Sequence, residues 1–176
     1  MNNLKLDQQG KQFLQHEEGC VLHAYQDRAG IWTIAYGNSY YIGGTKVKQG
    51  DTITQQQADQ LFDLLSPSYE STVNTINNLN QQQFNPCVSL CWNIGSEGFI
   101  TSTLYKHLCT NPNDQTRINT TDMTDINVRQ EIATKGLTSI HLITYYFLLW
   151  HNDGGSFDID LFNRRWRESL MYWGQS

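Results

Sequence analysis

Apolar positions recur at helical spacing over most of this chain and switch to a strand-like pattern near the N-terminus. Leu4, Leu6, Phe13 and Leu14 are set among Gln, Lys and acidic residues, which predicts a short amphipathic helix over 4–18 closed by Gly19. From Val21 to Gly37 the residues Tyr25, Ile31, Trp32, Thr33, Ile34 and Tyr36 favour strands on either side of Gly30, which predicts a small hairpin. Gly43-Gly44 and Gly50-Asp51 mark turns. Thr54 and Gln57 form a capping-box pair ahead of Ala58, Leu61, Phe62 and Leu65, a helix expected to break at Ser66-Pro67. A second helix is expected through Val73, Ile76 and Leu79. Phe84, Cys87, Val88, Cys91 and Trp92 then fall at i, i+3, i+4, i+7 and i+8, a buried stripe ending at Gly95. A short helix over 102–109 stops before Asn111-Pro112. The stretch 110–125, rich in Thr, Asn and Asp, reads as a loop within an insertion at 110–136. Residues 137–150 are apolar nearly all round and predict a buried helix. After a turn at Gly154-Gly155, Leu161 to Trp173 predict a closing helix. The fold class expected is α+β, mostly helical, with one small antiparallel sheet.

Composition narrows the function classes. A chain of 176 residues is one domain's worth of polymer. It is lean in aliphatic residues, and its five Trp, nine Tyr and seven Phe must carry much of the burial. A net charge of −5 argues against nucleic acid as a partner. The longest apolar stretch, Ile140 to Trp150, is interrupted by His141 and Thr144 and falls short of the roughly 18 residues that a membrane span needs. The first residues lack the apolar run of a cleavable secretory signal, so none is expected. Cys20, Cys87, Cys91 and Cys109 make no C-x-x-C pair and no metal-ligand spacing with the five histidines, so free, buried thiols and no metal are expected.

Candidate chemistry concentrates between Glu18 and Gly37. Glu18 stands at a predicted helix C-terminus, where the negative end of the helix dipole disfavours a carboxylate charge. Asp27 follows in the hairpin, with Thr33 on the returning strand. A helix end facing a hairpin places two carboxyl groups across a cleft, as a general acid and a base or nucleophile require. The spacing alone is equally that of two solvated surface acids.

The same segment resembles the glycoside hydrolase family 24 lysozymes, the phage-type endolysins, whose pattern runs E-G-x7-D-x5-T-(I/x)-G-x-G-H. Glu18, Gly19, Asp27, Gly30, Thr33, Ile34 and Gly37 match in register, while Ala35 replaces a glycine and Asn38 a histidine. Phe84 to Leu104 resembles that family's helix, glycine turn and Ser-Thr-Leu segment, and Asn163 to Leu170 its C-terminal Arg-Arg helix. The resemblance implies a lysozyme-like fold: a small N-terminal β-hairpin lobe over about 16–65, and a helical lobe over about 66–176 that includes the N-terminal helix, with a cleft between them.

It further implies a muramidase that cuts the β-1,4 bond between N-acetylmuramic acid and N-acetylglucosamine of bacterial peptidoglycan. Glu18 would be the general acid, Asp27 the second carboxylate, and Thr33 would orient the attacking water. Asn93, Trp92, Ser102 and Trp32 would border the saccharide, though Trp92 also fits plain core packing and Ser102 a helix cap. Arg164 would hold Glu18 in place, or else be an ordinary i, i+4 partner of Glu168 on a solvated helix face. No cofactor is implied. Carboxyls roughly 6.5–9.5 Å apart would mean inversion, and about 5–5.5 Å a covalent intermediate. The expected protein is a monomer that waits in the cytoplasm of the producing cell until released. The alternatives are a catalytically silent peptidoglycan-binding protein on the same scaffold and a secreted antibacterial effector with the same chemistry.

Overall fold

The computed structural model describes residues 2–27 and 29–175. Helix α1 (Gln8–Glu18) begins where the Asp7 side chain accepts the Gly10 N–H at 2.8 Å. It ends at Gly19, whose φ of +66° lies in a region that L side chains rarely adopt. Gly10 is small for a different reason: a Cβ there would stand 2.5 Å from the Asn85 side chain. That close approach seats α1 directly on α3 (Gln81–Thr101), and Asn85 closes it by donating to Asp7 at 2.9 Å.

The hairpin forms where expected, from β1 (Val21–Gln26) and β2 (Trp32–Ala35), paired antiparallel with Tyr25 opposite Thr33 and Gln26 opposite Trp32. Its register slips between Val21 and Tyr25, which bends the strand. Helix α2 (Gln55–Val73) opens with the expected reciprocal Thr54–Gln57 cap, but it does not break at Pro67. Pro67 is exposed, whereas Phe62, Ser66, Glu70 and Val73 are buried along one side of the helix. Packing of that side carries the helix past the proline. Residues 74–80 form turns instead of the expected second helix, with Ile76 and Leu79 buried nonetheless.

Asn80 and Gln83 form a second capping box that starts α3, and the helix kinks at Gly95, φ +78°. Helix α4 (Thr103–Thr110) follows at once. The next segment is more structured than a loop. It contains β3 (Arg117–Asn119), a short 3-10 turn (Thr120–Asp122) and α5 (Ile126–Thr134). The buried helix expected over 137–150 begins instead as strand β4 (Ser139–His141), which pairs Ile140 with Ile118 of β3 before α6 (Leu142–Leu148) takes over. A short apolar run is compatible with either element, and here strand pairing decided. A tight hairpin of β5 (Asn152–Asp153) and β6 (Ser156–Phe157) leads into α7 (Ile159–Tyr172).

Two hydrophobic clusters result. The larger joins the hairpin's Ile34 and Ala35 to Leu14, Phe62, Phe84, Phe99 and Tyr172. The smaller gathers Met123, Val128 and Ile132 against Ile140, Leu148 and Phe162, so part of the 110–136 segment is core. All four thiols are free; Cys87 and Cys91 are buried as expected, whereas Cys20 is half-buried and Cys109 exposed. Burial pushes the Cys91 thiol up to about 11 and that of Cys87 well above its ordinary range, which keeps both inert.

Candidate active site

Glu18 is the last residue of α1, and α7 passes close enough to bond it. Arg164 Nη2 donates to Glu18 Oε1 at 2.7 Å, with the two side chains 8% and 17% exposed. One residue earlier, Glu17 receives Arg167 through Nε at 2.6 Å and Nη2 at 2.8 Å, a two-pronged pair of the kind that fixes geometry as well as charge. Two Arg–Glu pairs thus hold the end of α1 against α7. Arg164 also donates from Nε to Glu168 Oε1 at 3.3 Å. The i, i+4 pair exists, but it is not on a solvated face, because Glu168 is fully buried. Glu168 Oε1 further accepts from Ser89 Oγ at 2.6 Å and from Arg165 Nη2 at 2.9 Å.

Burial is the largest single influence on each of the three buried groups, though not always the deciding one. It would lower the Arg164 pKa, but the charges of Glu168 and Glu18 outweigh it and leave the guanidinium firmly protonated. Burial brings Arg165 down to about 10 against the pull of Glu168. The Glu168 carboxyl is raised by the same desolvation, opposed first by Arg165 and then by Arg164.

Asp27 is fixed by the hairpin turn itself. Its Oδ1 accepts the N–H groups of Ala29 and Ile31, each at 2.9 Å, and its own N–H donates to the Ile31 carbonyl at 3.0 Å. Among the described residues no hydrogen bond reaches Asp27 Oδ2 or Glu18 Oε2, so one oxygen of each acid is held by hydrogen bonds. Thr33 is buried on β2, and its hydroxyl donates to the Ile31 carbonyl at 3.1 Å. With its proton committed there, the Thr33 oxygen faces any further partner as an acceptor.

A groove of about 790 Å³ runs beside this network. Asn93 and Arg164 are in its wall, together with Glu17, Trp150 and the β5–β6 rim at Asn152 and Asp153. Glu18 reaches it through Arg164, whereas Asp27 and Thr33 stand on the hairpin and are not part of that wall. Trp92 stacks on Phe62 with ring centroids 5.0 Å apart and packs on Tyr69 at 4.9 Å, so it is engaged in joining α2 to α3. Trp32 is half-buried against the larger core. Ser102 caps α4, accepting from Tyr105 N–H at 3.0 Å and donating to the Phe99 carbonyl at 2.6 Å, and it borders a smaller groove of about 360 Å³. Trp150, common to both grooves, was absorbed by the sequence pattern into a buried helix. Ser89 carried no signal at all; its neighbour in the network lies 79 residues away.

Among the described residues no cluster of three or more His, Cys, Asp or Glu could hold a metal ion, and no helix is long and apolar enough to cross a membrane.

Comparison with known proteins gives the family. The family profile described as "Phage lysozyme" matches residues 15–139. The endolysin of Acyrthosiphon pisum secondary endosymbiont phage 1 is 36% identical over 107 residues, 60% of this chain and 70% of that relative. The endolysin of Salmonella phage P22 is 33% identical over 107 residues, 60% and 73% of the two chains. Among solved structures, the endolysin from Escherichia coli O157:H7 phage FAHEc1 superposes with a TM-score of 0.76 at 26% identity, covering 99% of this chain and 97% of the other.

Proposed function

The chain belongs to the phage lysozyme family and is a lysozyme of the endolysin kind, acting on peptidoglycan; from that premise we propose that Glu18, Asp27 and Thr33 carry the reaction. The observation that supports this reading is the pair of half-held carboxyls. Arg164 grips one oxygen of Glu18 and the hairpin turn grips one oxygen of Asp27, while among the described residues no hydrogen bond engages the other oxygen of either.

Glu18 Oε2 donates its proton to the glycosidic oxygen as the bond to the anomeric carbon breaks. A water, one hydrogen directed to Asp27 Oδ2 and the other to the Thr33 oxygen, attacks that carbon and leaves its proton on Asp27. The result is inversion. Asn93, exposed on the groove wall, offers an amide to hydroxyl or N-acetyl groups of the sugar. Trp92 and Ser102 are already engaged in packing and capping. Action as a monomer, on release from the producing cell, belongs to the same proposal.

The test is release of reducing ends from purified peptidoglycan. Glu18→Gln and Asp27→Asn keep shape and remove acid or base, and each should fold with native circular dichroism while losing about 10²–10⁴-fold in rate. The anomeric configuration of the first product, read by NMR, should be inverted. A wild-type protein that binds walls and releases no reducing ends would instead be the silent binder. The two departures from the family pattern do not favour that outcome. Ile34 and Asn38 exchange both backbone hydrogen bonds at 2.9 Å, and the Asn38 side chain accepts the Tyr36 N–H at 3.3 Å, so the turn through Ala35 is closed.

A further inference from the structure

An acid that must deliver a proton is poorly served by a cation in direct contact, because the cation favours the charged carboxylate. Arg164 makes that contact with Glu18, and the dipole of α1 opposes it only weakly at a partly exposed helix end. Behind Arg164 stands a second carboxyl, fully buried, on which three donors converge: Ser89 Oγ, Arg164 Nε and Arg165 Nη2 all reach Glu168 Oε1. Three donors on one oxygen favour the anion, while Glu168 Oε2 is buried with no hydrogen-bond partner among the described residues. Burial pushes against that charge, and the two guanidiniums with Ser89 pull for it.

We propose that Glu168 is a positioning residue for Glu18: its buried carboxylate locks Arg164 in place and offsets the guanidinium charge, so that Glu18 can carry the proton it donates. The proposal rests on the reading of Glu18 as the general acid.

The surroundings leave few other groups to do this. On α7, Arg165 adds positive charge beside Arg164. Arg167 is paired with Glu17 of α1 and also feels Glu168 and, more weakly, Asp160 on its own helix. From α3, Cys87 faces Glu168, and from α2, Tyr69 faces Glu18. Burial holds the protons on both, so they stay neutral. Taking Arg164, Arg165, Glu18 and Glu168 together, the set is neutral with both acids ionised and gains one positive charge when Glu18 is protonated. Without the charge of Glu168 it would carry two, and protonation of Glu18 would become correspondingly harder.

The test is the pH–activity profile of Glu168→Gln on purified peptidoglycan, with kcat and KM separated. The glutamine keeps the shape and the acceptor oxygen and removes the charge. The basic limb of the profile should move to lower pH by about one unit, through kcat with KM little changed, and Glu168→Asp should return most of it. A limb that stays in place, with activity lowered equally at every pH, would reduce Glu168 to packing and overturn the proposal. Glu18→Gln assayed beside it separates the two readings. An active Glu18→Gln would sink the assignment of the acid, whereas an inactive one with an unmoved Glu168→Gln limb would sink only the role of Glu168. If Glu168→Gln does not fold, 13C NMR of the glutamate carboxyls in the wild-type protein decides, with the Glu168 resonance assigned by its absence in Glu168→Asp. An ionised Glu168 across the active pH range is expected; a protonated one at the pH of maximal activity would overturn the proposal.

Discussion

At the scale of single residues, Ala35 shows how opposing terms settle a position. Its φ of +56° places an L residue in the left-handed region, at a cost of about 1–2 kcal/mol. Yet its methyl group is 1% exposed within the larger core, and burying one such group returns about 0.8 kcal/mol. Glycine would relieve the strain, lose that contact and add about 0.4–1 kcal/mol of freedom to the unfolded chain. The terms nearly cancel. Ala35→Gly should therefore leave stability within about 0.5 kcal/mol of wild type. Ala35→Val, a branched side chain forced into the same conformation, should cost more than about 2 kcal/mol, a fall in Tm of roughly 4–8 °C by calorimetry. The replacement of glycine was legible in the sequence; the sign of φ and the burial that compensates for it were not.

At the scale of elements, the Thr54–Gln57 cap was read from the sequence, whereas the Asn80–Gln83 cap was missed and Pro67 was misread as a break. Thr54 with Gln57 and Asn80 with Gln83 lie within four residues of each other, so local chemistry is enough to start α2 and α3. Pro67 carries an intrinsic helix penalty of about 3 kcal/mol, which sequence reasoning takes as a stop. It is overruled by contacts from far along the chain. Phe62 and Val73 are fully buried on that helix, and Glu70 Oε1 receives the Leu6 N–H at 2.9 Å. Burial of each such apolar side chain contributes about 1.5–3 kcal/mol. The proline therefore persists as an uncorrected local cost on an exposed position. Pro67→Ala should raise stability by about 1–2 kcal/mol, the unfolded chain taking back part of the gain. Chemical denaturation measures it, and no gain would mean that α2 is already strained free of its ideal path.

At the scale of the whole molecule, a part-buried ion contact helps to join the smaller core to the groove's rim. Asp125 caps α5 through the Val128 N–H at 3.0 Å, and its Oδ2 lies 2.9 Å from Nε2 of the fully buried His151. His151 in turn precedes the β5–β6 hairpin that rims the groove and accepts the Asp158 N–H at 2.9 Å. Burial raises the Asp125 carboxyl, but the Val128 N–H and His151 outweigh it and leave its pKa below the ordinary carboxylate value. The unfolded chain then binds the proton more readily, so this contribution is present above the ordinary carboxylate pKa and is lost as pH falls through the native value. His141, lowered first by burial and then by Arg117, acts in the same direction: it prefers to be neutral in the fold, so its contribution fades as pH drops below the ordinary histidine range. Acid should therefore loosen this half of the molecule. Asp125→Asn keeps the cap and removes the charge. It should be less stable than wild type near neutrality, with the gap closing below about pH 4 in a series of Tm measurements. A gap that is constant with pH would assign the effect to packing alone.

The sequence by itself determined what depends on neighbours along the chain. Its helical and strand periods set most of the elements, its capping pairs their starts, and the matched spacing of Glu18, Asp27 and Thr33 the family to which the chain belongs. Tertiary structure decided whatever depends on distant partners. The pairing of β3 with β4 turned the start of an expected helix into a strand, and Met123, Val128 and Ile132 turned part of an expected loop into core. The network under Glu18 draws on residues 75 to 150 positions apart, because two helix faces must pack before Arg164, Ser89 and Glu168 can meet. Burial is what gives those charges their strength, and burial exists only once the chain has folded.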